Sequence, residues 1–518
     1  MKRIVSLRIV SSILCLMMCL SLLSFAGAEE AAPFRYDQPV TLKVAVFDRG
    51  VTGQTPVDNN WWTDWIQKDF GDPRNITVKF IPIPRSEEID KLNVLMASGD
   101  ASDIHFTYTE SVITNYVQQG GVVELTDLLN EYGQGIKEYL GEDLLKFGIF
   151  EGGQYAVPAK RVVLATNGFF LRKDWLDKLG LPVPETKEEF YNALVAFRDQ
   201  NPGNVENLVP YAFNYDLTTH NHLMLSYISS IDEKTLATVP DILWEGYDDY
   251  VLFLNKLYNE GLVSPDFALD NNETHTKAVA AGQAGGYTYN YDHPIRVSPG
   301  ILGTLNAFEP EADLVSINAF ESVTDPTKYY HSMYAPNGIF NFIPVYAKNP
   351  EAAVMYLDWL TDLDTLYFLQ NGEEGKHHEL DEEGVPILLD VTDETKFNSM
   401  QNIDYTLLTN GQEFSDPSLL IKAQSYSDQN YADKFEAMFD VATTDPLVTN
   451  FHFDVILAAD AQYNTSLTAF KRELLTKATM AAPEDCLKVF HELRDQYMRD
   501  GGQAVMDEKI AAWDNMYK

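Results

Sequence analysis

Phe169-Phe170-Leu171-Arg172-Lys173-Asp174-Trp175-Leu176-Asp177-Lys178-Leu179-Gly180-Leu181-Pro182 reads as a strand that feeds a short helix. Asp174 is placed to cap that helix, Gly180 to stop it, and Pro182 to prevent its resumption. Upstream, Gly152-Gly153-Gln154-Tyr155 is a turn into Ala156-Val157-Pro158, and Val162 to Leu171 runs as strand. Downstream come helical segments at Lys187–Asp199 and Asp248–Glu260. Gly282, Gly285 and Gly286 then break the chain before a strand at Tyr287–Tyr291. Strand, helices and strand in this order make an α/β unit.

The same alternation precedes it. Thr41–Phe47 has the pattern of a strand, Trp61–Phe70 has helical spacing, and Asn75–Ile81 is a second strand closed by Pro82 and Pro84. Ser86–Ser98 reads as a helix capped by Ser86, with an apolar stripe of Ile89, Leu92, Leu95 and Met96. Ile104–Tyr108 is a third strand, and Ser111–Gln119 a helix ended by Gly120-Gly121. This spacing predicts a parallel α/β lobe. A further strand at Gly338–Ile343 leads to a helix from Pro350 to Asp362 capped by Asn349, and the chain from about Val455 is largely helical. No low-complexity linker separates the two units, so the chain is expected to cross between them at a hinge, the build of a clamp. Ligands of such open sheets lie beyond the carboxyl ends of the strands.

Lys2, Arg3 and Arg8 precede a mostly apolar run from Ile9 to Phe25, and Ala26-Gly27-Ala28 offers the small residues a signal peptidase reads. A secretory leader cleaved after Ala28 is expected, with a retained membrane anchor as the alternative. Cys15 and Cys19 lie inside the run, and Met17-Met18 before Cys19 is not a lipoprotein signal. Cleavage leaves only Cys486, so no internal disulfide can form. The 518-residue chain carries a formal net charge of −39, a field that repels nucleic acid and anionic membranes. Its length allows two or more domains. Aromatic residues make up 12% of the chain, a surplus that suits a groove stacking the flat faces of sugars.

Four segments in order resemble the family 1 extracellular solute-binding proteins of carbohydrate ABC importers, in particular a long Gram-positive branch. They are Ala97-Ser98-Gly99-Asp100-Ala101-Ser102-Asp103-Ile104; Gly153-Gln154-Tyr155-Ala156-Val157-Pro158 with the Arg172–Pro182 stretch; Gly261-Leu262-Val263-Ser264-Pro265-Asp266-Phe267 with Ala281–Tyr287; and Ile343-Pro344 through Asn349–Leu360 to Asn371–His378. The resemblance covers most of Thr41 to about Asp381. It implies a two-lobed periplasmic-binding-protein-like fold of type II, each lobe a mainly parallel sheet flanked by helices, with the ligand cleft between. It also implies capture of a sugar or oligosaccharide, delivery to a membrane permease, and no catalysis and no cofactor. A monomer is expected. The segments are expected as 29–160 in the N-terminal lobe, 161–328 in the C-terminal lobe, 329–380 returning to the first lobe and 381–518 to the second.

Candidate ligand residues follow. Trp61 and Trp65 share a helical face and Trp62 points elsewhere; Trp65 reads as core, and Trp61 or Trp62 as facing the cleft. Tyr108 and Glu110 follow the third strand, where the resemblance implies an acidic group for sugar hydroxyls. Asp58 lies in the first loop. Lys160 and Arg161 at the first crossing bind ligand oxygens or form a hinge ion pair. Tyr287, Tyr289 and Tyr291 share one strand face, with Tyr289 the candidate for the cleft and Asp292 and His293 as polar contacts. His220 with His222, and His377-His378, lack a third ligand at metal spacing, so no metal is assigned. There is no phosphate-binding loop. The alternative is a secreted glycoside hydrolase, which needs two carboxyl groups facing across the cleft at about 5–10 Å.

Overall fold

Strands β1 (Val40–Asp48) and β2 (Ile76–Pro84) run parallel along their whole lengths, from Val40 opposite Ile76 to Asp48 opposite Pro84. The computed structural model describes residues 34–50, 55–99, 101–213, 216–270, 272–296, 300–389 and 404–517. The expected leader at 1–28 and Asp100 lie outside the described residues. A parallel pair needs a crossover, which begins at helix Trp61–Ile66. Asn60 caps that helix: its Oδ1 accepts from the Trp62 and Thr63 N–H groups at 2.8 and 3.2 Å, and Thr63 Oγ1 accepts from the Asn60 N–H at 2.9 Å.

Besides two short hairpins (Ile149–Phe150 with Gly153–Gln154, and His378–Leu380 with Pro386–Leu388), the later strands are β3 (His105–Thr107), β4 (Val157–Arg161), β5 (Asn167–Arg172), β6 (Gly286–Asn290), β7 (Leu314–Ile317), β8 (His331–Met333), β9 (Asn337–Phe342), β10 (Thr409–Asn410) and β11 (Pro446–Val448). In the first lobe, β3, β9, β4 and β10 form one sheet, in which β9 runs antiparallel to β3 and β4, and β10 runs parallel to β4. Beside the parallel β1–β2 pair this lobe is thus mixed and not mainly parallel as expected; Ile104 beside β3 bridges Val44 of β1. Leu42, Val44, Ile66, Phe70 and Ile83 share its core with Ala352, Val354 and Leu357 of helix Pro350–Trp359. In the second lobe, β5 lies between β6 and β7 with both pairings antiparallel. The parallel bridges there come from Tyr211 to Val263 and Ala212 to Tyr287, so this sheet is mixed. Alternation of strands and helices does not reveal that β6 and β7 both run against β5. The second core joins Phe169, Leu171, Trp175 and Phe197 to Leu474, Ala478 and Phe490 of the C-terminal helices. Asn255 Nδ2 donates to the carbonyls of Ala478, Thr479 and Ala481 at 2.8–3.0 Å. It thereby satisfies the end of helix Ala458–Met480.

The expected boundary at 380 is corrected. Tyr405, Leu407 and Leu408 sit in the first core, and β10 pairs with β4. The reason is β4's edge: its Lys160 N–H donates to the Leu408 carbonyl at 2.8 Å, which satisfies a backbone group that would otherwise need another partner. Among the described residues, Tyr405 to Asn410 still belong to the first lobe.

Two caps also differ from expectation. Arg172, not Asp174, occupies the N-cap position of helix Lys173–Leu179, and the Asp174 carboxylate instead binds the buried Arg172 guanidinium at 2.8 and 2.9 Å. Ser86 lies in a separate turn, Arg85–Glu87, before helix Glu88–Ser98. Gly180 ends its helix at φ +64°, with the Leu181 N–H bonded to the Leu176 carbonyl at 2.9 Å.

Three crossings lie side by side between the lobes. The Arg161 N–H donates to the Pro336 carbonyl at 2.8 Å, Tyr334 N–H to Leu164 at 2.9 Å, and Val162 N–H to Asn410 at 3.2 Å. Gly411, at φ +130°, lets the third crossing approach the first: a Cβ there would stand 3.1 Å from Val162 Cβ. No helix of the described residues is long and apolar enough to cross a membrane.

Candidate functional site

The strands of the first lobe end where the crossings begin, and a cavity of about 910 Å³ opens there. Arg49 follows β1, Arg85 follows β2, and Tyr108 and Glu110 follow β3. Arg161, Tyr334 and Asn410 come from the three crossings. Across from them stand Arg296 of the second lobe and Asp460, Asn464 and Thr468 of helix Ala458–Met480. A smaller cavity of about 220 Å³ shares Arg161, Arg296, Tyr334 and Asn410 with the larger one, so the two are parts of one cleft. The location obeys the rule for open α/β sheets, and the larger volume suits a ligand of several rings.

Arg49 binds Asp404 through Nε and Nη2 at 2.7 and 2.8 Å, and this bond holds its pKa above the ordinary value. Arg85 pairs with Glu88 at 3.1 Å, and its guanidinium carbon lies 4.8 Å from both the Phe47 and Tyr108 rings. Those rings are parallel to within 1°. Glu88 also accepts from Thr107 Oγ1 at 2.9 Å and the Tyr108 N–H at 3.1 Å. Asn410 Nδ2 donates to the Tyr108 hydroxyl at 2.8 Å, and burial raises that phenol's pKa.

Among the expected ligand residues, Tyr108, Glu110, Arg161 and Asp292 line the cleft. Glu110 Oε1 lies 2.9 Å from His452 Nδ1. Asp292 borders the smaller cavity, 3.4 Å from Arg296, and burial raises its pKa. Lys160 turns from the cleft to Glu413, with Nζ at 2.6 Å from Oε1. Tyr289 packs against the second-lobe core with its ring 4.0 Å from His293 and does not line the cleft. Asp58 is exposed in a turn and is not among the residues that line either cavity.

The tryptophans are a correction. Trp62 is fully buried in the first core. Trp61 is half-buried, 5.7 Å from the Phe368 ring and 4.7 Å from His377. Helix Leu363–Asn371 and the following turn cover the face that the sequence would leave open to ligand. Trp65 stacks on Phe368 at 4.4 Å. The paired histidines serve packing. His220 and His222 are buried in the second lobe, and His378 bonds Tyr367 and the Asn371 carbonyl.

Arg49, Arg85, Arg296, Tyr334 and Asn410 were not legible as site residues. Each stands singly at a strand end or crossing, and only the crossings bring them together.

Residues 53–364 match the family described as bacterial extracellular solute-binding protein. Lipoprotein LipO of Bacillus subtilis is 24% identical over 451 residues, covering 83% of this chain and 85% of its own. The polygalacturonan/rhamnogalacturonan-binding protein YtcQ of the same organism is 22% identical, covering 57% of this chain and 60% of its own. Among solved structures, the Streptococcus pneumoniae ABC-transporter substrate-binding protein FusA in complex with kestose superposes with a TM-score of 0.65 at 15% identity. That superposition spans 92% of this chain and 99% of that one, and so gives the two-lobed periplasmic-binding-protein-like fold. With its family match over more than half its length, this chain belongs to the bacterial extracellular solute-binding proteins.

Proposed function

We propose that this protein captures a dissolved carbohydrate between its lobes, outside the cytoplasm, and presents it to the membrane subunits of an ABC importer. The observation that carries this reading is a cleft of about 910 Å³ walled by both lobes and floored by three hydrogen-bonded crossings. Such crossings can flex while each lobe keeps its own core. The cleft's chemistry suits sugars. Glu110 accepts hydroxyl protons, Asn410 and Asn450 can donate and accept, and Tyr108 and Tyr334 offer aromatic faces. FusA and YtcQ are described by the saccharides they bind, which supports a carbohydrate here; the hydrolase alternative gains no support from them. In this reading the protein breaks no bond, acts as a monomer, and reaches its compartment through the leader at 1–28.

The test is a thermal-shift screen of the protein against neutral and acidic oligosaccharides, since a ligand that binds only the folded state raises the melting temperature. A saturable rise with at least one oligosaccharide is expected. A flat response to all of them, or newly formed reducing ends in the incubations, overturns the reading.

A further inference from the structure

The chain as a whole carries 77 Asp and Glu against 38 Lys and Arg. Its cleft reverses that balance: Arg49, Arg85, Arg161, Arg296 and Lys509 line the larger cavity against Glu110 and Asp460. Most of these cations are matched within the protein. Arg49 pairs with Asp404, Arg85 with Glu88, Arg296 with Asp292, and Lys509 with Asp460 at 3.0 Å. Arg161 has no carboxylate partner among the described residues. Its Nε donates to the Asn337 carbonyl at a long 3.4 Å, and its guanidinium carbon lies 4.3 Å from the Tyr334 ring centre. Its two Nη groups have no acceptor among the described residues.

The cost of this arrangement is visible. Loss of solvent lowers the Arg161 pKa, and no carboxylate among the described residues offsets it. A desolvated charge is retained at such a cost where something supplies the counter-charge. None of the carboxylates lining the cleft pairs with Arg161: Glu110 lies against His452, Asp460 against Lys509 and Asp292 against Arg296. Arg161 borders both parts of the cleft, so a ligand filling either part meets it. A guanidinium fork matches a planar carboxylate through two parallel hydrogen bonds. Next to it, the Tyr108 hydroxyl accepts from Asn410 and keeps its own proton for an acceptor on the ligand.

We propose that the ligand is an acidic saccharide and that Arg161 selects it by binding a uronate carboxylate. The proposal rests on the carbohydrate reading above and narrows it.

The experiment is calorimetric titration of the whole protein, wild type and Arg161→Gln, with oligogalacturonate, alginate and hyaluronan oligosaccharides. Carboxyl-reduced counterparts of each, a sulfated oligosaccharide and neutral fructo- and malto-oligosaccharides complete the set. At least one uronate oligomer should bind roughly tenfold or more tighter than its carboxyl-reduced form. Added salt should weaken that binding. Arg161→Gln should abolish the preference while keeping the melting temperature of the wild type or raising it, because it removes an unmatched charge. If neutral or sulfated sugars bind and uronates hold no advantage, or if Arg161→Gln keeps the preference, the inference falls and the carbohydrate reading stands. If no saccharide of any charge binds, both fall.

Discussion

Lys160 Nζ lies 2.6 Å from Glu413 Oε1, pinning the first crossing between the lobes to the third. Glu413 also accepts from the Tyr139 hydroxyl at 3.2 Å, and its N–H donates to Gln370 at 2.9 Å. The next residue, Arg161, points to the other side of the strand and into the cleft. The two roles open to this basic pair, ligand contact and hinge ion pair, are thus divided between its members. Glu413→Ala should lower stability by about 1–2 kcal/mol, because it strands a lysine that stays partly in water, while the Tyr139 hydroxyl keeps Thr409 Oγ1 at 2.6 Å. Urea unfolding measures this, and an unchanged midpoint would show that the crossings are not held by this pair.

Trp62 is fully buried, and its ring meets that of Trp61 edge-on at 4.5 Å. Trp62→Ala should cost about 3–5 kcal/mol through the cavity it leaves, without altering the affinity of the protein that remains folded. Trp61→Ala, at a half-buried position, should cost less. A Trp62 variant with wild-type stability and weakened ligand binding would return this residue to the cleft.

Arg172 is 1% exposed and bound by Asp174 through two hydrogen bonds and by Glu309 at 2.6 Å. Removing one partner leaves a buried cation under-matched, so Asp174→Asn should destabilise the second lobe by about 3 kcal/mol. Chemical denaturation monitored by tryptophan fluorescence would register it. A loss of only a few tenths would mean that Glu309 alone suffices.

Burial pushes His105 down from 6.5 to about 4. His222 and His331 are lowered in the same direction, chiefly by burial. Below about pH 6.5 the unfolded chain takes up protons that the folded state refuses. Stability is therefore whole above that pH and falls as acidity increases toward pH 4, with His105 alone contributing about 3 kcal/mol. Melting temperatures measured from pH 7 to pH 4.5 should decline, and His105→Gln should shallow the decline. A variant that follows the wild-type curve would remove His105 from the account.

The sequence carried its local signals well. Gly180 ends its helix as expected because a positive φ after a helical run needs no tertiary help. The parallel pairing of β1 and β2 follows from strand, helix and strand in close succession. What depended on distant chain was hidden. Arg49 gains its place from Asp404, and Asn410 from the edge of β4, hundreds of residues away. Trp61 and Trp62 have the composition of a sugar platform, but Phe368 and His377 cover them. Asp174 has the residue type of a cap, yet a buried arginine two positions away holds its carboxylate instead.

The central claim, a clamp that closes on a sugar and releases it intact, is tested most directly by small-angle X-ray scattering of the protein with and without an oligosaccharide that stabilises it, followed by mass analysis of the recovered sugar. A smaller radius of gyration at saturation and a sugar of unchanged mass are expected. Scattering that does not change at saturation, or a sugar recovered in fragments, would contradict it.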